Sequence, residues 1–197
     1  GYSLPQVNTM RRHFGTMPRR GPADEPVIVA FQNFKGGVGK STLFVHAGQY
    51  LAQLGYRVLV VDCDPQATST ALFGLNPDVD IERENTLTPF LQGDTNAMTE
   101  AVQKSYFDQL DLIPSNLELY NCEYVLAGEA ARGKGASVFT RLRMGLDLVK
   151  DNYDILLIDP PPALGMISLS VLHAANALVV PVRPATIDFG STAHFFT

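Results

Sequence analysis

A chain of 197 residues, 46% hydrophobic and 18% charged, is too apolar to remain disordered and long enough for one domain with or without a tail. Its apolar runs are strand-sized, well short of the about 18 residues that span a bilayer, and the start, Gly1-Tyr2-Ser3-Leu4-Pro5, has neither the basic nor the apolar region of a signal peptide. The net charge of −5 conceals a leader: residues 1–22 hold Arg11, Arg12, Arg19 and Arg20 and no acid, which leaves −9 on the rest.

The expectation is a soluble, cytoplasmic protein. Cys63 and Cys122 have no CxxC partner, so a disulfide framework or a four-ligand zinc site is excluded without other ligands. The basic leader is open to two readings, contact with nucleic acid or a solvated connector. The chain starts with Gly and stops at His194-Phe195-Phe196-Thr197 within a helical pattern, so a piece of a longer protein is expected.

In chain order, residues 1–26 contain Pro5, Pro18, Pro22 and Pro26, so they form a leader or linker with room for one short helix from Gln6 to Phe14. From Val27 the pattern changes. Strands apolar on both faces are predicted at Val27–Phe31, Val58–Asp62, Leu110–Ile113, Ile155–Asp159 and Ala177–Val182. Helices are predicted between them at Ser41–Leu54, Gln66–Phe73, Asn116–Leu126, Ser137–Lys150 and Ser168–Ala175. Buried strands alternating with helices define an α/β fold, a mostly parallel sheet covered on both faces. The stretch Asn76–Glu100 is polar and turn-rich, an irregular insertion over one face.

The first strand runs into Lys35-Gly36-Gly37-Val38-Gly39-Lys40-Ser41-Thr42, and a helix follows. Glycines let backbone N–H groups approach a polyphosphate closely, and the positive end of the helix faces the same anion. Lys40 supplies an ammonium to the phosphates and Ser41 a hydroxyl to Mg²⁺. The match to the phosphate-loop pattern is imperfect, because Phe34 stands where the first glycine belongs and a second lysine, Lys35, opens the loop. Asp62 and Asp64 close the second strand and Asp159 closes Ile155–Asp159, which places all three at the carboxyl edge of the sheet, where such folds bind ligands. Asp159 follows four apolar residues and suits an acid that holds Mg²⁺ through water, Asp62 is expected to assist it, and Asp64 is within reach of the γ-phosphate side.

The doubled lysine resembles the deviant Walker A motif of the ParA/MinD ATPases. The likeness continues in Asp62-Cys63-Asp64-Pro65-Gln66, in Asp154-Ile155-Leu156-Leu157-Ile158-Asp159-Pro160-Pro161-Pro162 and in Val179-Val180-Pro181. Asp-x-Asp-Pro-Gln points to the ParA branch, and the insertion with the leader is most similar to the RepA partition ATPases of repABC-type plasmids. The resemblance implies a P-loop ATPase domain over residues 27–197 that binds ATP and Mg²⁺ through Lys35, Gly36, Gly37, Val38, Gly39, Lys40, Ser41 and Thr42. It implies that Asp64 orients the attacking water and that Lys35 reaches the nucleotide of a second subunit. The metal is expected at Ser41, Asp62 and Asp159. The implied cycle is slow hydrolysis, a homodimer on ATP, non-specific DNA binding and stimulation by a centromere-binding partner of ParB or RepB type.

Two alternatives differ in purpose. One is a nucleotide-gated DNA-binding autorepressor. The other is a membrane-associated ATPase similar to MinD, which the Asp-Pro-Gln element argues against. The third proline, Pro160, is a departure without evident consequence, and Asp188 is a minor candidate for nucleotide or interface contact. Cys63 is expected to pack beneath the loop, since neither cysteine has the glycine-flanked setting of the related nitrogenase iron proteins.

Overall fold

The computed structural model describes residues 1–33 and 35–183. Phe34, Asp188 and the predicted helix at the C-terminal end lie outside them. Six strands, β1 (Val27–Phe31), β2 (Val58–Asp62), β3 (Gln103–Lys104), β4 (Leu110–Ile113), β5 (Ile155–Asp159) and β6 (Ala177–Val179), form one sheet in the order β3-β4-β2-β5-β1-β6. All pairs are parallel except β3 with β4. Four of the predicted strands match at both ends. The last one stops at Val179, three residues before the predicted end at Val182.

The helices are α1 (Leu4–His13), α2 (Lys40–Leu54), α3 (Thr68–Leu72), α4 (Thr88–Leu91), α5 (Ala97–Glu100), α6 (Leu119–Glu129), α7 (Gly135–Val149) and α8 (Met166–Ala174). Strand alternation sorts the core into two layers. Val58 and Val60 of β2 with Leu157 of β5 pack against Phe44, Val45 and Ala52 of α2. Leu59, Val61, Leu156 and Ile158 turn the other way, to Leu126, Val138, Leu142, Leu146 and Val171 of α6, α7 and α8. Helix α2 lies close on the sheet because of Gly48, where a Cβ would stand 2.9 Å from Val60 Cγ1. The same alternation carries Asp62 and Asp159 to the α2 side and buries Cys63 in the opposite layer.

Three local features differ from the sequence expectation. The stretch Asn76–Glu100 is not a polar cover: a 3₁₀ turn (Arg83–Asn85), α4 and α5 bury Leu87, Phe90, Leu91, Ala97 and Met98 in the core. Its apolar residues are few and unevenly spaced, so no helical period shows. Helix α6 begins at Leu119 rather than Asn116, because the Asn116 side chain accepts the Glu118 N–H at 3.1 Å and holds a turn before the helix.

The leader is the third. It holds the expected short helix, as α1, and it is docked on the body of the domain. Asn8 of α1 is fully buried and donates to Asp108 Oδ2 at 2.8 Å. Arg11 donates to the Gln53 carbonyl at 2.9 Å, Arg19 to the Gly55 carbonyl at 3.0 Å and Arg20 to the Tyr153 carbonyl at 3.1 Å. The anchor is Asp154, which precedes β5 and is 3% exposed. It takes the Arg57 guanidinium at 2.8 Å, the Arg20 N–H at 3.3 Å and Arg19 at 3.8 Å. Burial alone would raise its pKa, but the Arg57 hydrogen bonds outweigh that and hold the carboxyl below the usual range. These contacts line the amino ends of the strands, opposite the edge where the loop stands.

Candidate phosphate-binding site

Beyond β1 the chain stays buried through Gln32 and Asn33 before it surfaces. Asn33 fixes the start of the loop: its Oδ1 accepts the Lys35 N–H at 2.8 Å and its Nδ2 donates to the Pro181 carbonyl at 2.6 Å. Gly36, Gly37 and Gly39 are exposed, with Val38 partly covered between them. Gly37 (φ +73°) and Gly39 (φ +83°) adopt the left-handed conformation that glycine tolerates best. At Gly36, Gly37 and Gly39 a Cβ would meet nothing within 4 Å, so the loop frames open space.

Gly39 caps α2, the Leu43 N–H donates to its carbonyl at 2.9 Å, and no acidic side chain stands in the first turn. The positive end of a 15-residue helix therefore faces that space undiminished. Lys40 is the first helical residue and is 7% exposed. Its ammonium is held by the Asp159 carboxylate and the Pro160 carbonyl. Ser41, partly buried, and Thr42, exposed, follow on the same turn.

Asp62 and Asp159 are register partners across β2 and β5, and both are fully buried. Ser69 of α3 donates to Asp159 Oδ2 at 2.5 Å. Asp62 accepts the Asp64 N–H at 3.0 Å on Oδ1, and on Oδ2 the Thr70 N–H at 2.9 Å and hydroxyl at 2.7 Å. Burial, reinforced by the Asp159 charge, pushes Asp62 up to about 7. Both of its oxygens thus brace the turn into α3, beside Asp159. Asp64 is 6% exposed, its carboxyl is pushed up by burial, and its Oδ1 accepts the Gln66 N–H at 3.0 Å.

The arrangement suits a polyphosphate and one divalent cation. A backbone cup, a helix end and an ammonium meet beside one carboxylate, and Ser41 follows Lys40 on the first turn of the helix. Among the described residues no group of three or more His, Cys, Asp or Glu could cage a metal.

A family model described as an AAA domain matches residues 27–192, and the chromosome partitioning protein ParA of Caulobacter vibrioides is 35% identical over 79% of this chain and 55% of its own length. The chain belongs to the ParA family. Protein SopA of Escherichia coli K12 is 38% identical over 198 residues, which is 100% of this chain and 51% of SopA. A Rhizobium rhizogenes protein described as a replication protein A is 38% identical over 98% of this chain and 48% of its own length. The chain therefore spans about half the length of the curated relatives it matches. Cobyrinic acid a,c-diamide synthase of Mycobacterium smegmatis, solved with an ATP analogue and magnesium, superposes with a TM-score of 0.76 at 30% identity, over 87% of this chain and 66% of that one.

This ParA-type site contains residues that the sequence reading passed over. Ser69 and Thr70 grip the two buried carboxylates, and Asn33 fixes the loop. The run Thr68-Ser69-Thr70, one residue beyond Asp64-Pro65-Gln66, was the available signal, but the partner of Ser69 lies 90 residues away. Gln32, also passed over, is fully buried with neither side-chain polar atom paired among the described residues.

Proposed function

We propose that the chain is the ATPase unit of a DNA-partition protein, with residues 27–197 forming the nucleotide domain and residues 1–26 a leader docked beneath it. It binds ATP with Mg²⁺ in the cup of Gly36, Gly37, Val38 and Gly39. The observation that carries this is Lys40, which begins α2 at the rim of the open cup with its ammonium parked on Asp159. In this reading the ammonium moves onto the β- and γ-phosphates, and Ser41 and Asp159, assisted by Asp62, would hold the metal, which would neutralise phosphate charge. The N–H groups of the first turn, Thr42 included, face the same phosphates. Asp64, at the turn after β2, orients the attacking water, and burial raises its carboxyl above the ordinary carboxylate range.

Lys35 opens the loop and is offered to the nucleotide of a second copy, so that ATP occupancy and dimerisation are one event. The dimer binds DNA without sequence preference, hydrolyses slowly, and is released when a centromere-binding partner of ParB type accelerates hydrolysis. Family membership, with SopA, Soj and ParA among the relatives, supports the partition assignment. Cytoplasmic, nucleoid-bound location follows from the same reading. Among the described residues no helix is long and apolar enough to cross a membrane. The leader contributes less to DNA contact than its charge implies, since Arg11, Arg19 and Arg20 bond to the body of the domain.

The test is DNA affinity with ATP, ADP or no nucleotide, measured alongside molecular mass in solution. The proposal expects tight, salt-sensitive binding by a dimer with ATP alone. DNA binding that ignores the nucleotide, or an ATP-bound species that stays monomeric, contradicts it.

A further inference from the structure

Asp159 is a fully buried carboxylate with a different partner on each oxygen. Lys40 holds Oδ1 and Ser69 holds Oδ2, at 2.5 Å. The partners differ in what becomes of them. Lys40 has a long side chain with a second task at the phosphates, whereas Ser69 has a short side chain, is fully buried and stands on a five-residue helix. That helix is pinned independently by its neighbour. The Thr70 hydroxyl donates to Asp62 at 2.7 Å and accepts the Ser115 N–H at 2.9 Å, which ties α3 to the ends of β2 and β4.

We propose that Ser69 is a positioning residue for Asp159, holding Oδ2 so that Oδ1 is the oxygen presented to magnesium once Lys40 has left for the phosphates. This rests on the reading of the loop as an ATP–Mg²⁺ site. The physical reason is the freedom of a carboxylate about its last torsion, which is broad and two-fold. With Lys40 withdrawn and no hydroxyl behind it, Asp159 would turn to satisfy a buried charge and its aim would be lost. A charge-assisted O–H···O⁻ bond at this distance is among the stronger hydrogen bonds in proteins, and partners of this kind commonly carry 10–100-fold in metal affinity. Consecutive residues of α3 thus hold the neighbouring acids of β2 and β5, Thr70 on Asp62 and Ser69 on Asp159. The turn at Asp64 leads directly into them, since its carbonyl accepts the Ala67 N–H at 2.8 Å.

The experiment is ATP binding by calorimetry, for the full chain and for Ser69→Ala, titrated in EDTA and at increasing Mg²⁺. In EDTA the two proteins should bind ATP alike, because Lys40 and the cup are intact. The magnesium concentration that half-restores tight binding should rise about 10-fold in Ser69→Ala. Ser69→Cys, of similar volume and a weaker donor, should fall between them. An unaltered magnesium midpoint in Ser69→Ala overturns the proposal, and so does an equal loss of affinity with and without metal, which would make Ser69 a support of the cup alone. A wild-type protein whose ATP affinity ignores magnesium would instead overturn the underlying site.

Discussion

Lys40 and Asp159 hold each other in a buried pair at the rim of the cup, and the exchange of that bond for phosphate is the chemistry on which the nucleotide reading depends. Lys40→Ala should lower ATP–Mg²⁺ affinity about 100-fold, the loss expected for two or more charged hydrogen bonds; equilibrium titration with ATP measures it. Lys35→Ala should leave monomer affinity within about threefold, a shift under 1 kcal/mol, while ATP no longer drives dimerisation, as solution mass would show. Asp64→Ala should keep ATP binding and lose hydrolysis by about 10²–10⁴-fold, the range of a general base; phosphate release decides it. The residues of the loop were legible in the sequence because a Gly-Gly-x-Gly-Lys-Ser run between a strand and a helix has few other uses. Asp62 was legible by position, since the period-2 rule aims it at α2, but its bond from Thr70 was not, because that contact depends on the turn at Ala67.

The strands were readable wherever both faces are buried, since a run such as Ile155–Asp159 admits one assignment once turns bound it. Strand β3 was not, because two polar residues on a sheet edge carry no period. Helices α4 and α5 were hidden for a related reason: each is four residues long and buries only two or three of them. The leader shows what local pattern cannot convey. Its prolines and arginines suit a solvated linker, yet the buried carboxylate of Asp154, over a hundred positions later, collects Arg19, Arg20 and Arg57. Removing that carboxylate strands a partly buried guanidinium, so Asp154→Ala should cost about 3 kcal/mol in chemical denaturation. Limited proteolysis should then cut between residues 14 and 25 faster than in the parent protein; equal cutting would mean that the leader holds without this anchor.

The molecule as a whole has its nucleotide edge and its leader clasp at opposite ends of one sheet, and their titrating groups respond to pH in opposite directions. Asp62 is raised to about 7 from an ordinary value of 3.8, so the folded state binds its proton more readily than the unfolded chain. Its contribution is full below pH 4 and is lost as pH rises through 7. Asp154 is lowered, so its contribution is present above pH 4 and is lost as pH falls through its folded value. The nucleotide-free protein should therefore gain thermal stability from pH 8 to about pH 5 and lose it on further acidification. Asp62→Asn should flatten the first limb only, and a thermal unfolding series across pH reads both.

A crystal structure with a non-hydrolysable ATP analogue and Mg²⁺ tests the central claim most directly. The account predicts triphosphate in the glycine cup, the Lys40 ammonium transferred from Asp159 to phosphate oxygens, and metal beside Ser41. Nucleotide bound elsewhere, or bound in the cup with Lys40 still on Asp159, would contradict it.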